Sequence, residues 1–126
     1  MQWLRAVLTI RDTQFQSLSL DLQLRNPRPY LDHLRQRHPE WVAEHDDAEA
    51  LELVRGAVRS AHGYALSSTR DVCRFLDLVV IFGADWSGEA HAWLHEALVG
   101  STSETAPRRL GRLLQQAMHR LEAAAA

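Results

Sequence analysis

The sequence predicts an all-α fold, a single-domain bundle of about five to six short amphipathic helices. Apolar residues return at three- and four-residue spacing along most of the chain, and helix-capping residues separate these stretches. No segment shows the strict alternation typical of β-strands. The 126 residues fit one domain, so we expect residues 1–126 to share one core, from about 8 to 121, with a frayed tail at 122–126.

The first helix is predicted from about Ile10 to Leu24, after a capping threonine at Thr9. Its apolar face comprises Phe15, Leu18 and Leu22. Pro27 ends it. A second short helix runs from Pro29 to Arg37, because Pro39 disfavours helical backbone at the residue before it.

The segment from Pro39 to His45 is predicted to form one more turn, which offers Trp41 and Val42 to the core. The acidic pair Asp46 and Asp47 then caps a longer helix. Its buried side comprises Leu51, Val54, Val58 and Ala61. Gly63 is predicted to be its left-handed C-terminal cap, and Gly56 to lie where another helix crosses closely.

The clearest element is a helix from Thr69 to Phe82, capped by Ser68 and stopped by Gly83. Its apolar stripe comprises Val72, Phe75, Leu76, Val79 and Val80. Burying five such side chains favours folding by about 10 kcal/mol before conformational entropy is subtracted. We therefore expect this helix to be central.

Two further helices complete the bundle. One is predicted from Glu89 to Val99 and is anchored by Trp93, Leu94 and Leu98. The other begins near Pro107, which suits a first helical turn, and continues through Leu121. The solvent face of the last helix carries four arginines: Arg108, Arg109, Arg112 and Arg120.

Composition limits the classes of function. The net charge is −2, from 14 basic and 16 acidic residues, so the chain has no general attraction to nucleic acid or to anionic lipid. The apolar run from Leu76 to Phe82 is much shorter than the roughly 20 residues of a membrane span. The N-terminus does not resemble a signal peptide, and the single cysteine, Cys73, fits a reducing compartment. We expect a bacterial cytoplasmic protein.

The residues that could carry chemistry form no specific motif. His91 and His95 have the spacing of two zinc ligands on one helix, but the glutamate of the metalloprotease motif is missing, so structural or surface histidines are favoured. Cys73 is expected to be a packed thiol, although a nearby helix N-terminus could lower its pKa. The glycines form no phosphate-binding loop. The sequence therefore predicts no catalysis, no cofactor and no metal.

Two pieces of the sequence are distinctive: a Gly-Tyr pair at 63–64, four residues ahead of Ser-x-x-Asp-Val, and the Phe-Gly-x-Asp-aromatic turn at 82–86. Together with further pieces between about Leu8 and Leu98, they resemble small accessory proteins encoded beside effector and spike genes of bacterial type VI secretion systems. The resemblance implies a co-chaperone or adaptor that helps a larger chaperone hold an effector for loading. It does not extend to the last helix.

The leading hypothesis is a protein-binding adaptor with its partner surface near the 82–86 turn and the last helix. The residues predicted to take part are Tyr64, Asp85, Trp86, Trp93, Arg109 and Arg112. The tryptophans could instead close the edge of the core, and the arginines could form a solvated helix face. Three other functions stay open: an immunity protein that blocks a toxin, a DNA-binding regulator that uses the last helix, and a zinc enzyme that uses His91 and His95.

Overall fold

The computed structural model describes residues 18–83, 92–99 and 105–125, and all regular secondary structure in these ranges is α-helical. This confirms the all-α fold class. The helices are α1 (18–25), α2 (Arg28–Arg37), α3 (Pro39–Glu44), α4 (Asp47–Gly63), α5 (Thr69–Phe82), α6 (Ala92–Val99) and α7 (Ala106–Ala125). None of them combines the length and apolar content that a bilayer crossing requires.

Helix α5 lies at the centre, as predicted, and packs against α2, α4 and α7. Four of its side chains are fully excluded from solvent: Val72, Phe75, Leu76 and Leu78. Its bounds match the prediction because both ends have strong local signals. The hydroxyl of Ser68 accepts a 3.1 Å hydrogen bond from the backbone N–H of Asp71, and Gly83 ends the helix with φ of 77°.

The predicted break at Pro39 is confirmed. Helix α2 buries Tyr30 and Leu34 against the core. It ends at Arg37, and the backbone N–H of His38 donates to the carbonyl of Leu34 at 2.8 Å. Helix α3 follows at once, so His38 is the joint between two short helices.

Helix α4 begins with a reciprocal cap. The Asp46 carboxylate accepts from the backbone N–H of Glu49 at 2.8 Å, and the Glu49 carboxylate accepts from the N–H of Asp46 at 3.4 Å. The predicted cap at this position is therefore confirmed. The expected close helix crossing at Gly56 is wrong, because a Cβ there meets nothing within 4 Å. Gly56 instead faces open space.

The end of α4 also differs from the prediction. Gly63 keeps helical backbone, and the left-handed residue is Ala65, with φ of 62°. The N–H of Leu66 donates to the carbonyl of Ala61 at 2.8 Å, and the N–H of Ala65 donates to the carbonyl of His62 at 3.1 Å. This pair of bonds is the Schellman arrangement. The fully buried Leu66 side chain holds it in place.

Replacing Ala65 with glycine is expected to raise the free energy of unfolding by about 1 kcal/mol. The left-handed conformation is unfavourable for alanine because its Cβ approaches the following carbonyl oxygen, and glycine lacks that atom. Urea denaturation of the two chains measures the difference. The matched control is Ala65→Val, whose branched side chain is expected to lower stability; a stabilising valine would contradict the assigned backbone conformation.

Helix α1 presents a different face from the one predicted. Leu18 and Leu22 are 58% and 51% exposed, whereas Leu20 and Leu24 pack against the core. The predicted start of this helix and Phe15 lie outside the described residues. Gln23 lies between Leu20 and Leu24 and adds polar contacts: its amide donates to the carbonyl of Ser67 at 2.5 Å and its oxygen accepts from Nε2 of His62 at 2.6 Å.

Helices α6 and α7 pack on each other, and α7 also contacts α5. Leu94 and Leu98 of α6 are buried, as are Leu110, Leu113 and Ala117 of α7. Helix α7 starts one residue before the predicted Pro107 and continues through Ala125. The predicted start of α6 lies outside the described residues. A Cβ on Gly111 would lie 2.6 Å from a terminal nitrogen of Arg74 on α5, which is the far end of a flexible side chain that can move aside.

Candidate functional site

A surface groove lies between α3 and α4, with α5 at its base. Its volume is about 540 Å³, within the range of about 300–1,000 Å³ found for ligand pockets. We call it the α3–α4 groove. It is lined by Trp41, His45, Asp46, Ala48, Glu49, Glu52, Leu53, Gly56, Ala57, Ser60 and Val79.

One wall of the α3–α4 groove is aromatic. The rings of Trp41 and His45 stack with centroids 3.8 Å apart and an interplanar angle of 9°. Nδ1 of His45 donates to the backbone carbonyl of Trp41 at 2.7 Å, which sets the orientation of the imidazole. The indole is therefore held in one position before anything enters the groove. A second depression, which includes Arg37 and Glu40, borders the other side of Trp41.

The floor of the groove is apolar and low. Leu53 is half-buried, and Ala57 and Val79 are almost fully buried. Gly56 and Ser60 also line the floor, because they follow Leu53 and Ala57 by three residues and lie on the same face of α4. Because Gly56 has no side chain and no described residue lies over it, another molecule can approach the α4 backbone closely here.

The rim of the groove is acidic. The carboxylates of Asp46, Glu49 and Glu52 line it and are exposed, and among the described residues that line the groove none is an arginine. The capping box fixes Asp46 and Glu49 at the first turn of α4. Three negative charges thus lie along one side of an apolar floor, within the first two turns of a helix.

A separate polar cluster joins the α2–α3 joint to α5. Nε2 of His33 and Nε2 of His38 each donate a 2.7 Å hydrogen bond to the same carboxylate oxygen of Asp77. The three side chains are 18–23% exposed. The sequence interpretation did not bring them together, because they come from three different helical segments. Asp77, which interrupts the apolar run of α5, was the available signal.

The predicted partner-binding residues that the structure describes do not line the α3–α4 groove. Tyr64 is half-buried, and its hydroxyl is hydrogen-bonded to Nδ1 of His95 at 2.6 Å. Trp93 packs against Phe82 with ring centroids 5.8 Å apart, and the guanidinium of Arg120 covers it at 4.0 Å. These contacts place both aromatic residues around α6, away from the groove.

Of the remaining predicted residues, two arginines lie on α7 and the other two residues fall outside the described ranges. Arg109 donates from Nε to the carbonyl of Leu98 at 2.9 Å, so it joins α7 to α6, and Arg112 is exposed on α7. Asp85 and Trp86 lie outside the described residues, as does His91 of the proposed zinc pair. Within the described ranges no group of three or more histidine, cysteine or acidic side chains is arranged to hold a metal ion.

Cys73 is expected to react slowly with thiol reagents. Burial and the neighbouring Asp77 carboxylate raise the pKa of its thiol from 9.0 to about 11, so the pKa is raised rather than lowered at this position. A difference of two units makes the thiolate about a hundredfold scarcer at neutral pH. Iodoacetamide labelling followed by mass spectrometry measures this, with the urea-unfolded chain as the control. Equal labelling rates in both states would contradict the assigned environment.

Comparisons with protein-family models, with curated proteins and with solved structures found no match to this chain. A function must therefore be argued from the chain's own residues.

Proposed function

We propose that this chain is a non-catalytic adaptor that binds another polypeptide, and that the partner docks in the α3–α4 groove. The observation that carries the proposal is an apolar floor that no residue of the described ranges covers, beside a tryptophan whose ring is stacked on His45. Interface anchors are typically aromatic side chains in contact with apolar surface, and a fixed ring loses little conformational freedom on binding.

The chemistry of the groove supports binding better than turnover. His45, the histidine in its wall, is stacked on Trp41 and bonded to the backbone through Nδ1. Two of the three carboxylates take part in the cap of α4. The His45 imidazole and the carboxylates of Asp46 and Glu49 therefore already have structural contacts in the walls of the groove. The same carboxylates repel phosphate, so a nucleic acid is not the partner proposed for this surface.

The type VI secretion resemblance supplies the proposed partner. It implies that small helical accessory proteins of this kind help a chaperone hold an effector before loading. We therefore propose a secretion effector, or its dedicated chaperone, as the polypeptide bound, and the bacterial cytoplasm as the place where binding occurs. The resemblance covers Leu8 to Leu98, a range that includes every residue lining the α3–α4 groove.

The test is co-purification of the tagged chain with the products of its neighbouring genes, expressed in the same cell. The key variant is Gly56→Leu, which places a large side chain in the groove. The matched control is Gly63→Leu, because Gly63 is also an exposed glycine of α4 with open space around it but does not line the groove.

We expect a neighbouring gene product to co-purify with the unmodified chain and with Gly63→Leu, and to be lost with Gly56→Leu. Failure of every neighbouring product to bind the unmodified chain would overturn the proposal. If the chain instead rescues cells from a co-encoded toxin expressed without its chaperone, the adaptor role is overturned in favour of immunity.

A further inference from the structure

The α3–α4 groove has the length and shape to receive a helix. Its lining residues on α4 run from Asp46 to Ser60, which at 1.5 Å per residue is about 20 Å, or roughly four helical turns. A groove with an apolar floor is a typical site for the apolar face of an amphipathic helix. The low floor at Gly56 and Ala57 lets the incoming backbone approach, and Leu53 with Trp41 offers contacts to its larger apolar side chains.

The charges of the groove decide which kind of helix fits. The rim carries Asp46, Glu49 and Glu52, and the basic side chains of α4, Arg55 and Arg59, do not line the groove. A partner with lysine or arginine beside its apolar face meets three unlike charges, whereas one with glutamate meets three like charges.

From this geometry and charge we infer that the α3–α4 groove binds a basic amphipathic helix of the partner protein. The inference rests on the proposed adaptor function and adds the chemistry of the segment recognised. The partner's apolar side chains lie on Leu53, Ala57 and Val79, and its cationic side chains pair with the acidic rim. Opposite charge also accelerates association and makes it sensitive to salt.

Two synthetic peptides of about 18 residues test the inference, a length that forms about five helical turns. Both have the same leucine and alanine face; one has lysine at every polar position and the other has glutamate. Binding to the full chain is measured by fluorescence anisotropy at low and high salt. Chemical shifts of the isotope-labelled chain locate the peptide.

We expect the lysine peptide to bind about tenfold or more tightly than the glutamate peptide, with affinity falling as salt rises. Shifts are expected at the Trp41 indole and along 46–60. Glu52→Arg reverses one rim charge and leaves the cap of α4 unchanged. It is expected to lower the affinity for the lysine peptide about tenfold. Gly56→Leu is expected to weaken binding at least as much, and Gly63→Leu to leave it unchanged.

Equal binding of the two peptides, or shifts confined to α6 and α7, would overturn the inference. Concentration-dependent self-association that protects 46–60 and excludes the lysine peptide would also overturn it, by identifying a second copy as the occupant. These failures differ from failure of the adaptor function. If a neighbouring gene product no longer co-purifies with Gly56→Leu but still co-purifies with Glu52→Arg, the adaptor function is supported. The same result would contradict binding of a basic helix.

Discussion

Replacing Phe75 with alanine is expected to lower the free energy of unfolding by about 4 kcal/mol, which is typical for a large aromatic side chain removed from a core. Phe75 is completely buried on α5, and α5 is in contact with α2, α4 and α7. Its ring also lies 5.9 Å from the ring of Tyr64, at the turn after α4. A cavity at this position therefore weakens several helix contacts together.

Urea denaturation followed by far-UV circular dichroism measures the loss. Domains of this size are typically stable by about 5–15 kcal/mol, so the variant loses a large part of its stability. Phe75→Leu keeps a large apolar side chain and removes less volume, so it is the milder control and is expected to lose about 1–2 kcal/mol. Leu22→Ala, at an exposed position of α1, is expected to change stability by less than about 0.5 kcal/mol. Similar losses in Phe75→Ala and Leu22→Ala would contradict a central α5.

Replacing Asp77 with alanine is expected to cost about 3 kcal/mol. The substitution removes the carboxylate oxygen that accepts two 2.7 Å hydrogen bonds, from Nε2 of His33 and Nε2 of His38. Both imidazoles then lack this acceptor in a site that is mostly shielded from water. A donor stranded in such a site costs about 1–3 kcal/mol. The effect is expected at the α2–α3 joint, where His38 connects the two helices.

Asp77→Asn is the matched control, because its amide oxygen can still accept from both imidazoles. We expect it to lose about 1 kcal/mol, the difference between a charged and a neutral acceptor. Denaturation curves of the two variants give the comparison. A loss in Asp77→Ala no larger than in Asp77→Asn would show that the shared carboxylate oxygen does not hold the joint.

Elements whose ends have local signals were predictable from the sequence. Helix α5 matches its predicted bounds because Ser68 and Gly83 act on their immediate neighbours. The break at Pro39 and the cap at Asp46 were predictable for the same reason. Pattern reasoning is reliable here because the relevant hydrogen bonds and backbone restrictions span only a few residues.

Errors arose where a distant contact decided the result. Helix α1 turns Leu20 and Leu24 toward the core, and Gln23 on the same side reaches His62 and Ser67, which lie about 40 positions away in the sequence. The left-handed position moved from Gly63 to Ala65 because burial of Leu66 sets where the turn closes.

The α3–α4 groove was not predicted from the sequence, because each of its lining residues fits an ordinary structural role when it is considered alone. Trp41 was assigned to the core, Gly56 was interpreted as a close crossing, and Asp46 was interpreted as a helix cap. The groove exists because no described residue packs over Gly56, and an uncovered surface leaves no periodic signal. Tyr64 and Trp93, which were predicted to be partner residues, have contacts around α6, and their partner role stays a prediction.

The attachment of α7 has a dynamic consequence. Of the helices described, α7 makes its main contacts with α6 and α5, whereas α2, α4 and α5 all contact one another. A pair of helices that packs on the remaining helices through a single interface can separate from them while their own contacts persist. The α6–α7 pair is thus a candidate cooperative opening unit, whose backbone amides exchange with solvent at a lower free energy than those of α5.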